Sequence, residues 1–325
     1  ECTFVQGSNL YRYGFIIEAT SNIKEEWLYQ KKLKKYAQEV ALFTRLNREF
    51  NLGASFSEAK DIESKTRENA LFLPVVAQFN GLISQEILAW FDKLTIISNL
   101  RSEEFKHFSF EMLEDEEFRE KIVKFIKSAD TGITDIKKKK IDFASLNIES
   151  DELKELPNFL LEKLKEEGLS TVETMHMQYD NNNMFKQLKS FSLNFESDGT
   201  QKLLALSAPL IDALLNGEII VVDELDNSLH TDLVQAIVKL FNCPKSNPNN
   251  AQLIFSTHDT NLLNQELFRR DQIWFVQKDI YGSSELYSLI EYGEGKIRED
   301  LALEKNYLNG KFGGKPYISS SLMEL

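Results

Sequence analysis

The sequence predicts an α/β protein, and three observations carry that prediction. Residues 4–52 alternate apolar and polar side chains with a period of two, as half-buried strands do. From Lys65 the apolar spacing widens to helical intervals of three and four. After Met175 the pattern becomes strand, helix, strand, helix, strand, the alternation of a parallel sheet with crossover helices.

Taken in order, NLYRYGFIIEA puts Tyr11, Tyr13, Phe15 and Ile17 at alternate positions and reads as a strand. IKEEWLYQ and EVALFTRLN read as two more, joined at the charged KKLKKY turn, so residues 4–52 form an antiparallel meander. KTRENALFLPVVAQFN, SQEILAWFDKL and EEFREKIVKFIKSA read as helices, with Pro74 expected to kink the first. Residues 133–148 return to a strand pattern, and ESDELKELPNFLLEKLKEEG reads as a charged helix or helix pair. These elements group into an antiparallel β part over 1–56, a helical insertion or lid over 57–170, and an α/β lobe over 171–325.

Composition narrows the class. With 325 residues, 42% of them hydrophobic, the chain can build one large domain or two lobes. No apolar run approaches the roughly 20 residues that cross a bilayer, and the start carries no secretory pattern. A soluble, cytoplasmic protein without membrane partners is the expectation. Cys2 and Cys243 stand alone without CxxC spacing, which argues against a disulfide framework or a zinc site. The net charge of −13 opposes general attraction to nucleic acid. Lys121, Lys124, Lys127 and Lys137–Lys140 make the one notable basic cluster, which keeps nucleic acid open as a lesser partner.

Candidate chemistry concentrates in three stretches. In NFESDGTQKLLALSAPLIDALL a small polar loop, Ser197 to Gln201, opens an amphipathic helix. The exposed amides and partial positive charge of a helix start attract anions, and Gly199 allows close approach; Ser197 is also an ordinary N-cap. In IIVVDELDNSLHTD a buried strand delivers Asp223 and Glu224 to its C-terminal end, where α/β sheets bind ligands. An Asp there holds magnesium through water, and a neighbouring Glu orients and deprotonates an attacking water. Asp226 follows in the turn. In AQLIFSTHDTNLL a second strand ends at Ser256-Thr257-His258, and a helix is expected to follow Asp259. His258 comes 34 residues after Glu224, one βαβ step later, and would share its sheet edge.

SDGTQ, VVDELD and STH, in that order and each at a strand–helix junction, resemble the ABC-type ATPase fold. The resemblance implies that Ser197, Gly199 and Gln201 belong to a signature loop that contacts the γ-phosphate held by an opposite subunit. It implies Asp223 as the Walker B magnesium residue, Glu224 as catalytic base, Asp226 as the D-loop acid and His258 as the switch histidine. Gln78 is the candidate Q-loop glutamine. Asp198 and Thr200 depart from the LSGGQ of transporters. ESDGTQKLLAL, KTRENALFLPVVAQFN and the tail YLNGKFGGKPYI resemble a bacterial group of ATP-binding proteins from abortive-infection and anti-phage systems, including retron-, septu- and PARIS-like modules. That group implies ATP with Mg2+, a head-to-tail dimer, and a separate effector such as a nuclease or toxin.

The sequence contains no GxxxxGK[ST] phosphate loop; GEGKI near 293–297 and GKFGGKP near 310–316 lack the spacing. The family places that loop near the chain start, so it is expected upstream of Glu1. Two other branches fit less well. An SMC-like DNA-repair ATPase needs a long heptad coiled coil, which the short helices between 57 and 167 do not supply. An OLD-type nuclease needs a further acidic site, and the tail after His258 has no Asp-x-Asp, only DQIWFVQKD and SSELYSLIEY, which read as a closing hairpin. A non-hydrolysing scaffold for a toxin or nuclease partner is the remaining alternative.

Overall fold

The computed structural model describes residues 1–98, 102–141, 169–291 and 302–315, and the chain divides into two compact units, 1–94 and 95–325. The first unit opens with a meander of β1 (Cys2–Gln6), β2 (Asn9–Ile17), β3 (Ile23–Lys32), β4 (Val40–Leu46) and β5 (Glu49–Leu52), paired antiparallel in chain order. Two helices, α1 (Phe72–Gln78) and α2 (Leu82–Phe91), complete it. Phe72, Leu73, Val76 and Ile87 from the helices join Tyr11, Leu28, Leu42 and Phe43 from the strands in one core.

A buried charge pair explains why α1 begins where it does. Glu26 on β3 and Arg45 on β4 stand directly opposite in the register, 0% and 3% exposed. Glu26 accepts the first two helical amides, Phe72 N–H at 2.6 Å and Leu73 N–H at 3.1 Å, and the Tyr13 hydroxyl at 3.0 Å. Arg45 donates to the carbonyls of Asn47, Arg67, Glu68 and Ala70, gathering the chain that leads into the helix. Burial pushes the Glu26 carboxyl up, against those hydrogen bonds and the Arg45 charge. The expected kink at Pro74 is corrected: α1 starts at Phe72, which puts Pro74 in the first turn, where a missing N–H costs no helical bond.

The second unit contains a sheet ordered β11-β10-β6, from β6 (Leu94–Ile97), β10 (Ile219–Val222) and β11 (Gln252–Phe255). The strand β6 was absent from the sequence-based elements, its four residues lying in what read as a helical insertion. An antiparallel sheet of β7 (Ile133–Ile141), β8 (Leu169–Tyr179) and β9 (Phe185–Ser192) leads through a short 3-10 turn into the long helix α5 (Asp198–Asn216). Before them come α3 (Ser102–Met112), which the helical reading did not include, and α4 (Glu116–Lys127). Their apolar faces share one core with α5, β10 and α6 (Thr231–Asn242). The 142–148 strand extension and the charged segment at 149–168 lie outside the described residues.

The parallel pattern stops after β11. Instead of a helix, a 3-10 turn at Thr260–Leu262 follows Asp259, and β12 (Trp274–Lys278) pairs antiparallel with β13 (Ser284–Ser288), as the closing hairpin predicts. Helix α7 (Leu303–Leu308) and the GKFGG turns seal that hairpin, with Phe312 stacked on Phe275 at 5.7 Å and its carbonyl accepting the Tyr287 hydroxyl. So the described Gly-Lys pair at 310–311 closes a small core.

Helix α5 carries Pro209 in its interior. Proline has no N–H, so the carbonyl four residues earlier, Ala205, loses its helical donor. The fully buried hydroxyl of Ser109 on α3 supplies it, donating to Ala205 O at 2.9 Å and accepting Ala208 N–H at 3.4 Å.

Two outcomes follow from these buried polar contacts. Glu26→Ala leaves Arg45 buried without its partner and the α1 amides uncapped. Chemical denaturation should show a loss of about 3–5 kcal/mol. Ser109→Ala leaves the Ala205 carbonyl unpaired in the core and should cost about 1–3 kcal/mol in the same measurement. A change within experimental error would refute the repair assigned to Ser109.

Candidate functional site

Strands β10 and β11 run parallel, with Val222 beside Phe255 at their C-terminal ends. Their neighbours in the chain, Asp223-Glu224 and Ser256, therefore emerge at one edge. Ser256 N–H reaches Val222 O at 3.0 Å and Leu225 N–H reaches Ser256 O at 3.1 Å, carrying the ladder past the strands. Asp223 N–H donates to Ile97 O on β6 at 2.9 Å, so the missed strand holds the aspartate's backbone.

One hydroxyl organises the two acids. Ser256 Oγ donates to Asp223 Oδ1 at 2.6 Å and accepts Glu224 N–H at 2.8 Å. Glu224 has φ +51°, the left-handed region, which costs a side-chain-bearing residue roughly 1–3 kcal/mol and persists only where the surroundings enforce it. Beyond it Leu225 is fully buried and anchors the turn, while Ser228 is also left-handed at +60°. His258 Nε2 lies 3.5 Å from Glu224 Oε1, with the imidazole 83% exposed. The His258 backbone N–H faces the Asp226 carboxylate at 3.3 and 3.4 Å. Next in the chain, Asp259 takes the Thr231 hydroxyl at 2.5 Å. Burial tends to raise its carboxyl, but the bonds from Thr231 and Asn261 outweigh that and lower it.

The first turns of α5 sit against this loop. Ser197 caps the helix, accepting Thr200 N–H at 3.2 Å. Its neighbour Glu196 is tied to β8 through the Thr174 hydroxyl at 2.5 Å and His176 Nε2 at 2.7 Å. The Gln201 side chain turns back to Glu196 O at 3.0 Å. Gly199 faces the carbonyl of Ser228, and a Cβ there would stand 2.5 Å from that oxygen. Its missing side chain thus serves a backbone contact within the chain. Lys202 Nζ donates to Glu224 O at 2.8 Å. Burial holds its ammonium below the ordinary value, against the raising effect of Asp226 and Glu224.

The structure therefore brings Asp223, Glu224, Asp226 and His258 to one edge, with Ser197, Gly199 and Gln201 on the adjoining helix start. Gln78 is the exposed last residue of α1, in the first unit. Three residues carry more than the sequence reading gave them: Ser256, Lys202 and Ser228. All three lie inside the quoted motifs, and hydroxyl and ammonium groups beside carboxylates were the available signal. Among the described residues, no group of three His, Cys, Asp or Glu is arranged to hold a metal alone.

The basic run is already neutralised in part. Lys138 pairs with Glu114 at 2.6 Å, Lys139 with Glu173 at 3.0 Å and Lys121 with Glu117 at 2.6 Å. Among the described residues, no helix is long and apolar enough to cross a membrane.

A family model described as "AAA domain, putative AbiEii toxin, Type IV TA system" matches residues 2–264. No curated protein matches the chain. A solved structure described as the recombination mediator protein RecF-ATPrS in the RecFOR pathway is 12% identical, over 78% of this chain and 76% of that one. Its TM-score is 0.18.

Gly199→Ala should push the Ser228 carbonyl away from α5. An overpacked contact of this kind costs about 1–3 kcal/mol. Thermal unfolding of the variant and the amide exchange of residues 226–229 measure the effect. Unchanged exchange would mean that the glycine is dispensable for this contact.

Proposed function

The chain belongs to the AAA-domain family of the AbiEii toxin, Type IV TA system, a P-loop ATPase family linked to abortive infection, and we propose that it hydrolyses ATP at the β10–β11 edge. The observation that supports this most is the Ser256 bridge: one hydroxyl sets Asp223 and the Glu224 peptide side by side, with His258 3.5 Å from the Glu224 carboxylate. Two acids at a strand end, with a histidine from the neighbouring strand, are groups that can serve phosphoryl transfer to water.

In this reading Asp223 would hold Mg2+, which would supply positive charge beside the phosphates. Glu224 orients and deprotonates the attacking water. His258, exposed above the edge, donates a hydrogen bond to the terminal phosphate. Asp226 fixes the His258 backbone. The N-terminus of α5, with Ser197 and Gly199, lends amide dipoles to an anion. Its proposed target is the nucleotide of a second copy, which makes the assembly a head-to-tail, ATP-dependent dimer. Gln78 is proposed as the Q-loop glutamine, and Gln201 to support the signature loop through its hydrogen bond to the Glu196 carbonyl. The dimer is proposed to control a separate effector, a nuclease or toxin, in anti-phage defence.

Glu224→Gln and Asp223→Ala separate the roles. Removing the general base should slow turnover about 10²–10⁴-fold while ATP and magnesium still bind, so the full-length variant accumulates as an ATP-bound dimer. Asp223→Ala should weaken magnesium-nucleotide binding as well as turnover. ATP turnover and light scattering on the full-length protein make the measurement. Wild-type turnover no faster than that of Glu224→Gln would sink the hydrolytic reading and favour a scaffold.

A further inference from the structure

The loop from Glu224 to Ser228 reverses through two left-handed residues, neither of them glycine, on a largely exposed edge. Such a conformation relaxes unless its peptide groups are held. The Glu224 amide is held by Ser256 Oγ at 2.8 Å. Its carbonyl receives two donors, the Asn227 amide at 3.1 Å and the Lys202 ammonium at 2.8 Å. The first of these belongs to the loop itself and moves with it. Lys202 alone of the two comes from another element, the helix α5, whose Leu203 and Leu204 are buried in the core beside it.

We propose that Lys202 is a positioning residue for the carboxylate of Glu224, fixing the left-handed backbone from α5 and so linking the aim of the base to the position of that helix. The proposal rests on the hydrolytic reading above. The ammonium faces the charges of Asp226 and Glu224 as well as the carbonyl, so a neutral side chain of equal length forfeits both the hydrogen bond and the local charge balance. Ser197 and Lys202 lie on successive turns of one helix. A displacement of the α5 start, by a ligand or a second subunit, therefore reaches the Glu224 carbonyl through a single bond. Each hydrolytic site would then read the state of its own signature helix.

The test compares wild type, Lys202→Met, Lys202→Arg and Glu224→Gln in the full-length protein. Lys202→Met keeps the aliphatic stem and removes the donor. It should lower kcat about 10²-fold, the effect of a misaimed catalytic group, with KM for ATP unchanged. Amide exchange across residues 224–228 should rise together with that loss. Lys202→Arg, which restores charge and donors, should recover most of kcat and the protection. Lys202→Gln makes the same comparison if the methionine variant does not fold. If Glu224→Gln is slow but Lys202→Met matches wild type in kcat, or changes KM alone, the Lys202 proposal is overturned while the hydrolytic reading stands. If exchange at 224–228 is unchanged in Lys202→Met, the positioning role is overturned whatever the turnover. If Glu224→Gln turns over as fast as wild type, the hydrolytic reading fails and the role of Lys202 goes with it.

Discussion

Everything at the candidate site depends on the register in which β10 lies against β11. Val222 opposite Phe255 is what sets Asp223 and Ser256 within 2.6 Å and lets one hydroxyl serve both the aspartate and the peptide of Glu224. A slip by one residue would turn Asp223 toward the opposite face of the sheet and bury a charge in the core. The register is enforced from both sides: Ile220 and Val222 are buried under α5, and β6 takes the Asp223 amide.

The same edge shows how exposed, charged residues are held without a rigid shell around their side chains. His258 and Asp223 are exposed and Glu224 and Asp226 half-buried, but their peptide groups are tied to Ser256, Asp226, Ile97 and Lys202. Order at this edge is therefore carried by backbone hydrogen bonds rather than by packing of side chains. Loops that complete themselves on binding are drawn from regions of low local stability, and this one combines strained backbone with few buried side chains.

Much of this was legible in the chain, for identifiable reasons. The meander, the closing hairpin and the β10–α6–β11 unit have long or strongly periodic patterns. The boundary of α1 was not legible, because its cap is Glu26, 46 residues away in sequence, and no local signal announces it. Strand β6 was hidden by its length, since four apolar residues between helices fit either structure. At the site, the acids and His258 stood out as chemistry at strand ends. Lys202 did not, because a lysine in an amphipathic helix usually marks the solvent face. Gly199 was visible, but its partner was not: the close approach it permits is to Ser228, a contact that only the folded backbone creates.

The Ser109 hydroxyl that replaces the missing Pro209 donor has a consequence for how the second unit is built. Ser109 and the Ala205 carbonyl it satisfies are 96 residues apart, so that carbonyl finds its donor only after a long stretch of intervening chain has closed into place. Until then the helix carries an open carbonyl near its middle. Maturation of α5 is thus tied to arrival of α3, a non-local step of the kind that slows folding. A nascent chain emerging from the ribosome exposes Ser109 well before Pro209 is synthesised, and the helix it must mend is the later of the two to appear.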